Sequence, residues 1–165
     1  MIPDPRAKIK SIAELQPLVA RARAEKRKVV FGNGCFDLIH VGHVRYLQSA
    51  RALGDLLIVG INGDDSVRAL KGPGRPLQTQ DERAEIIASF ECVDFVVVFD
   101  GPTVETLLLA LQPDIHAKGT DYTRESVPER DTVRSFGGQV AIAGDPKDHS
   151  SRDLISIILA KATHE

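Results

Sequence analysis

Only two cysteines occur in this chain, Cys35 and Cys92. They stand far apart without the paired spacing of a zinc knuckle, so neither a disulfide framework nor a cysteine metal site is expected. Two thiols in a chain of this size suit a reducing cytoplasm. Long apolar runs are also missing. No segment approaches membrane-spanning length, and the opening MIPDPRAKIK puts prolines and charges where a signal peptide needs an apolar core. A soluble, unexported cytoplasmic protein is expected, with no membrane partner. Neither sign of charge dominates: 21 basic against 23 acidic residues leave a net charge of -2. That balance supplies no positive field to hold a polyanion, which argues against nucleic acid as a partner. There is no internal repeat, and no G-x-x-x-x-G-K-[ST] loop of the P-loop ATPases occurs.

What is present is a globular composition, 42% hydrophobic and 27% charged over 165 residues, enough for one domain with a real core. The order predicted is a helical lead over 1–27 and a core over 28–163. Ser11-Ile-Ala-Glu14 reads as a capping box, followed by Leu15, Leu18, Val19 and Ala22 at helical spacing to about Lys26. Lys28 to Phe31 reads as a buried strand running into Gly32-Asn-Gly34, and Gly42 to Leu53 as a helix stopped by Gly54. Leu56 to Gly60 is a strand, Asn62 to Asp65 a turn, and Lys71-Gly-Pro-Gly-Arg-Pro76 a mobile loop. Thr79-Gln-Asp-Glu82 caps a helix to about Phe90. Beyond it come a strand over Val93–Phe99, a helix over Thr103–Leu111, and strands over Asp114–Ala117 and Val140–Ala143. A closing helix, Ser151 to Ala162, is marked by Leu154, Ile155, Ile158 and Leu159. The alternation predicts an α/β fold: a Rossmann-like, doubly wound parallel sheet of about five strands with helices on both faces, binding ligands at the strands' carboxyl ends.

The chemistry concentrates in Gly32-Asn-Gly-Cys-Phe-Asp-Leu-Ile-His-Val-Gly-His43, where a strand ends in a glycine loop and two histidines flank a glycine at the next helix. Glycines let backbone N–H groups approach phosphate oxygens, and the helix N-terminus adds a positive partial charge. Histidines at i and i+3 share one helix face. Attack on an α-phosphate builds negative charge on its oxygens and on the departing pyrophosphate, and preorganised donors stabilise it. The segment is not the dinucleotide fingerprint, because Asp37 stands where G-x-G-x-x-G needs its last glycine.

His40-Val-Gly-His43 after Gly34-Cys-Phe-Asp37 resembles the HxGH signature of the cytidylyltransferase-like nucleotidyltransferases, whose two histidines contact the triphosphate and stabilise the transition state. From about Val29 to Ile158 the chain is similar to the heptose-1-phosphate adenylyltransferase branch. The residues that carry this are Tyr46-Leu47, Asn62 with Asp64, Leu70-Lys-Gly72, Arg75-Pro76, Arg83, Val93-Asp94, Pro113-Asp114, Lys118-Gly119 with Asp121-Tyr122, and Gly137-Gly138. The resemblance implies an enzyme that joins ATP to a sugar 1-phosphate, D-glycero-D-manno-heptose 1-phosphate, giving an ADP-sugar and pyrophosphate for cell-envelope polysaccharide synthesis.

At matching positions it implies that Gly34, Cys35, Phe36, Asp37, His40 and His43 cradle the ATP phosphates, with His40, His43 and a mobile Lys71 as catalytic groups. Lys118, Gly119 and Asp121 hold the ribose and base region, and Ser150 and Ser151 meet the β- and γ-phosphates. Asn62, Asp64, Lys71, Arg75 and Arg83 are the candidates for contact with the acceptor substrate. Magnesium is implied, bound mainly through the ATP phosphates, so no protein ligand for it is named. A homodimer is compatible with the family, and a separate sugar kinase is expected to supply the acceptor.

The chain departs from the family at Ser150-Ser-Arg152, where Ser-Thr-Thr is usual, at Lys118-Gly-Thr-Asp121 in place of Lys-Gly-Gly-Asp, and at Glu125-Ser-Val-Pro-Glu129. Plainer alternatives stand beside several assignments. Asp37 can cap the histidine helix, Arg83 can be an exposed partner of Glu82 or Asp81, and Asn62 with Asp64 can be turn formers. Lys71 and Arg75 can be solvated loop charges, and Lys118 with Asp121 a surface ion pair. His116, His149 and His164 carry no assigned role. The rival functions are a cytidylyltransferase acting on glycerol 3-phosphate or a phosphorylated aminoalcohol, and a non-catalytic nucleotide-binding module.

Overall fold

Val29-Val-Phe31 is β-branched and aromatic, and burial on both faces makes it the start of β1 (Val29–Gly34), the middle strand of the sheet in this computed structural model, which describes residues 1–163. His164 lies outside the described residues. On one side of β1 lie β2 (Leu56–Asn62) and β3 (Phe95–Phe99), and on the other β4 (Ile115–Lys118) and β5 (Gln139–Ile142). The order is β3-β2-β1-β4-β5 and every pairing is parallel. The chain winds outward from β1 twice, so its direction switches between β1 and β4, and there an open α/β sheet forms its ligand crevice.

Alternation along the strands sends side chains to two cores. Phe31, Ile58 and Val97 pack with Leu15 and Val19 of α1 (Ile12–Ala24), Leu107 and Leu108 of α5 (Glu105–Leu111), and Val133 of α6 (Arg130–Ser135). Val30, Leu57 and Val59 pack with Leu47 and Ala50 of α2 (Val41–Arg51) and Ala84 and Ile87 of α4 (Gln80–Ala88). The fold class predicted from the alternation is therefore the one observed. The lead is part of it: α1 fills one core, Ile9 bridges Val96 in parallel, and Lys10 N–H donates to the Val96 carbonyl at 2.8 Å. Both predicted capping boxes are formed, Ser11 with Glu14 and Thr79 with Glu82.

The structure corrects one expectation and adds two findings that the sequence did not signal. Asn62-Gly-Asp-Asp65 is not a free turn: Asn62 closes β2 and Asp64 opens α3 (Asp64–Lys71). The turn-forming composition is outweighed by Asp64 and Asp65 in the first helical turn and Arg68 and Lys71 in the last, each matched to the helix dipole. A Cβ at Gly63 would meet the Asp100 carboxylate, which would have to move aside. Helix α6, which no periodic pattern signalled, is short and buries only Val133. Last, the apolar stripe on α7 (Ser151–Ala162) is only partly covered: no residue of the helix is fully buried, Leu154 and Ile155 are half-buried, and Ile158 and Leu159 are 57% and 61% exposed. Among the described residues no helix is long and apolar enough to cross a membrane.

Candidate active site

The carboxyl ends of β1, β4 and β5 border a cavity of about 280 Å³, at the switch between β1 and β4. Two helix N-termini reach it, α2 through His40 and Gly42 and α7 through Ser150 and Ser151. The aligned peptide dipoles of the two helices favour an anion there. Arg45, Lys71, Lys118 and Lys147 line the same space and add positive charge.

His40 is the N-cap of α2, and its ring stacks on that of His43 with centroids 3.8 Å apart and planes inclined by 25°. The Gly42 N–H donates to His40 Nδ1 at 3.1 Å, and the His40 N–H donates to His43 Nδ1 at 3.2 Å. A ring nitrogen that accepts carries no proton, so in each neutral ring the hydrogen sits on Nε2. Burial pushes His43 down to about 3, helped by the positive field of His40, Lys71 and Lys147. His40 is lowered too, first by burial and then by His149 and Lys147. At neutral pH the pair offers two uncharged Nε2–H donors. Gly42 is required between them, since a Cβ would stand 2.9 Å from the His40 ring.

Asp37 does not cap this helix. Its buried carboxylate accepts from Arg75 Nε at 2.7 Å and from the N–H groups of Leu77 and Gln78 at 2.9 and 3.1 Å. Burial alone would raise this carboxyl, but the Leu77 N–H, Arg75 and the Gln78 N–H outweigh it and hold it below the usual range. Asp37 therefore anchors the end of the loop that follows Lys71. The chain on either side of it is bent, with Phe36 and Leu38 at φ of 49° and 61°, a region that L-residues rarely occupy. Ser151 Oγ closes the turn by donating to the Asp37 carbonyl at 2.5 Å, which ties α7 to the end of β1.

The expected acceptor contacts are only partly assembled. Lys71 lines the cavity, but Asn62, Asp64, Arg75 and Arg83 do not. Arg83 is fully buried, not an exposed partner of Glu82 or Asp81. Its guanidinium donates to the carbonyls of Gln78 at 3.0 Å, Cys35 at 2.7 Å and Asn62 at 2.7 Å, and to Asp64 Oδ1 at 2.8 Å. Asn62 Nδ2 donates to Ser66 Oγ at 3.0 Å. Asn62, Asp64 and Arg83 are engaged with Ser66, with one another and with the backbone, and Arg75 is held to Asp37 through Nε, while its buried Nη2 has no hydrogen-bond partner among the described residues.

Lys118 and Asp121 do line the cavity, yet they are not paired with each other. The Lys118 ammonium stands 3.8 Å from Glu129 Oε2 and 4.5 Å from the Tyr122 ring centroid, and Asp121 pairs with Lys147 at 3.3 Å. Gly34, Cys35, Phe36, Gly119 and Ser150 border the cavity as well. Sequence reasoning passed over Asn33, Arg45 and Lys147 and gave His149 no role; all four line it. The strand-end rule was the available signal for the loop after β5, which carries Lys147 and His149.

The cytidylyltransferase-like family profile matches residues 31–158. The chain belongs to the cytidylyltransferase-like family. Among curated relatives of this cytidylyltransferase-like chain, the bifunctional protein HldE of Trichlorobacter lovleyi is 48% identical over 162 residues, covering 98% of the chain and 33% of the relative. The bifunctional protein HldE of Geobacter sulfurreducens is 48% identical over 153 residues, 93% of the chain and 31% of the relative. The chain thus spans about one third of the length of the curated relatives it matches. A solved lipopolysaccharide core biosynthesis protein from Thermoplasma volcanium superposes with a TM-score of 0.61 at 25% identity, over 70% of this chain and 93% of that one. The pantoate-beta-alanine ligase of Francisella tularensis gives 0.64 at 16% identity, over 89% of this chain and 72% of that one, a likeness of fold alone.

Family membership implies magnesium, and the donor set of the cavity bears on how it would be held. Among the described residues no three His, Cys, Asp or Glu side chains converge as a metal cage. The cavity instead gathers cations and neutral imidazoles around room for an anion. Magnesium keeps several waters and binds readily through phosphate oxygens, so the site fits an ion carried in on a triphosphate.

The buried His116 and the half-buried His43 also make stability depend on pH. His116 in β4, like His43, is pushed down to about 3, first by burial and then by Lys118. Unfolded, both rings return to about 6.5, so between about pH 6.5 and 3 the unfolded chain binds more protons than the folded one. Their contribution is complete above about 6.5 and is lost as pH falls, by up to ~1.4 kcal/mol per pH unit for each ring. The urea midpoint is expected to drop between about pH 7.5 and pH 5. A midpoint constant over that range would show that the rings are not buried neutral.

Proposed function

We propose that this chain is an adenylyltransferase that joins ATP and a sugar 1-phosphate, D-glycero-D-manno-heptose 1-phosphate, into an ADP-sugar and pyrophosphate. The observation that carries the reading is the stacked pair His40 and His43, two neutral Nε2–H donors at one helix N-terminus with a second helix N-terminus and four cationic side chains around the same cavity. Such a site is matched to a polyphosphate whose charge grows during reaction. The similarity to the heptose-1-phosphate branch and to the HldE relatives supports the choice of ATP and sugar phosphate.

In the mechanism proposed, an oxygen of the sugar phosphate attacks the α-phosphorus in line. A new P–O bond forms, the bond from the α-phosphorus to the bridging oxygen breaks, and pyrophosphate leaves with the electron pair. His40 and His43 donate to phosphate oxygens where charge develops, and Lys71 offsets the charge of the two approaching anions. The N-termini of α2 and α7 hold the triphosphate, with Ser150 and Ser151 at the latter, while Lys118, Gly119 and Asp121 hold the nucleoside. Magnesium, when bound on the triphosphate, supplies further charge neutralisation. Cys35 is not a nucleophile here: burial pushes its thiol up, and direct attack requires no covalent enzyme intermediate.

The test is pyrophosphate release with magnesium, ATP and CTP each being offered heptose 1-phosphate and glycerol 3-phosphate. Release is expected with ATP and the heptose alone. Release that depends on CTP would move the chain to a cytidylyltransferase activity, and silence with every pair despite ATP binding would overturn the heptose 1-phosphate reading and leave either a different acceptor or a non-catalytic module.

A further inference from the structure

A polar side chain of β4, His116, enters the interior, and its only polar contact among the described residues leads to the cavity. His116 is fully buried, stands opposite Phe31 in the β1–β4 register, and has its ring centroid 5.8 Å from that of Phe31. An imidazole in such surroundings is costly unless it is hydrogen-bonded. Its Nδ1 has no partner among the described residues, while its Nε2 lies 2.9 Å from Asn33 Oδ1. Residues i and i+2 of a strand share a face, so Asn33 follows Phe31 on the side His116 occupies, at the end of β1 where the cavity opens.

The direction of that bond follows from the orphaned nitrogen. If Nε2 donates to the carboxamide oxygen, the bare Nδ1 is left as an unpaired acceptor. With the amide reversed and the proton on Nδ1, a buried N–H would be unpaired instead, and buried orphan donors are the rarer of the two. Burial keeps the ring neutral, pushed down to about 3, so it holds one N–H and the bond keeps its polarity at physiological pH. Once Oδ1 is held by the ring, the Asn33 amide nitrogen has no hydrogen bond to the described residues, nor is it one of the buried atoms sealed from solvent without a partner. Asn33 borders the cavity, and so does Lys118, two residues beyond His116 on β4.

We infer that Asn33 is a ligand-binding residue whose amide N–H donates to an oxygen of the nucleotide or of the acceptor, and that His116 is the positioning residue that aims it. This rests on the proposed use of the cavity for ATP and a sugar phosphate. Both ligands present the same chemistry, an oxygen that accepts a hydrogen bond, and the titrations separate them.

The experiment is heteronuclear NMR on the full labelled chain, titrated with ATP and, separately, with heptose 1-phosphate. His116 is expected as the Nε2–H tautomer, and the Asn33 side-chain amide signals are expected to move with one of the two ligands. His116→Leu removes the aim and weakens that ligand by about tenfold, as does Asn33→Ala, while the double variant binds no worse than Asn33→Ala. His116→Gln, which keeps a donor, restores part of the loss. An Nδ1–H tautomer, additive losses in the double variant, or Asn33 signals that stay still while the Gly42 and Gly119 amides shift would overturn the inference. Stillness of every cavity signal with both ligands would instead remove the nucleotide reading, and this assignment with it. Because these readouts need no turnover, absent pyrophosphate release with a responsive Asn33 would leave the inference standing.

Discussion

His43→Ala is expected to lower kcat for pyrophosphate release by about 10²–10³-fold with little change in the KM for ATP, the cost of removing one preorganised donor from a developing oxyanion. The expectation follows from the tautomer. His43 Nδ1 is held by the His40 N–H, so the ring can turn only its Nε2–H outward, and burial keeps it uncharged at the pH of the assay. A donor fixed before the reaction needs no reorganisation when charge appears, which is why its loss falls on kcat. The substitution also removes an acceptor from the start of α2, worth about 1 kcal/mol, so the variant's folded fraction is measured first by circular dichroism. A folded His43→Ala protein with kcat within about fivefold of the parent would remove the histidine from the proposed chemistry.

The largest loss of stability is expected from Arg83→Ala. Its guanidinium is fully buried and joins the end of β1 at Cys35, the end of β2 at Asn62, the start of α3 at Asp64 and the approach to α4 at Gln78. Truncation leaves buried carbonyls without donors and a carboxylate without its cation, for a cost of about 3–5 kcal/mol. Arg83→Lys is expected to recover little of it, because one ammonium cannot reproduce a planar fork that reaches four acceptors. Urea unfolding of both variants checks this, and a loss below about 1 kcal/mol for the alanine variant would mean that the network is not what holds these segments together. Activity should fall as well, since the Cys35 carbonyl belongs to the turn that leads to the histidines.

That contrast shows which parts of the site could be read from sequence. The turn from Gly34 to His43 was legible because its determinants are local: a buried strand that ends in glycine, then two histidines three residues apart, one of which caps the helix that carries both. The capping boxes at Ser11 and Thr79 were legible for the same reason, each being complete within four residues. Arg83 was not, since its acceptors at Cys35 and Asn62 lie 48 and 21 residues away and no local pattern predicts that they meet. Asn62 and Asp64 were read as turn formers from their composition and as substrate contacts from the family resemblance, whereas in the fold their side chains meet Ser66 and Arg83. His116 gave no signal either: only the parallel register of β1 against β4 brings it beside Asn33. The spacing on α7 revealed a helix correctly, but periodicity cannot say what an apolar stripe packs against, and here its second half, Ile158 and Leu159, lies exposed.

The central claim is that the cavity transfers the adenylyl group of ATP to a sugar phosphate. Phosphorus NMR of a reaction with ATP, magnesium and heptose 1-phosphate tests it most directly, because every product carries its own signals. The account predicts a pair of coupled diphosphate resonances from an ADP-sugar growing in equal amount with free pyrophosphate, as the sugar phosphate signal declines. Appearance of ADP with inorganic phosphate, or pyrophosphate formed while the sugar phosphate signal stays unchanged, would contradict it.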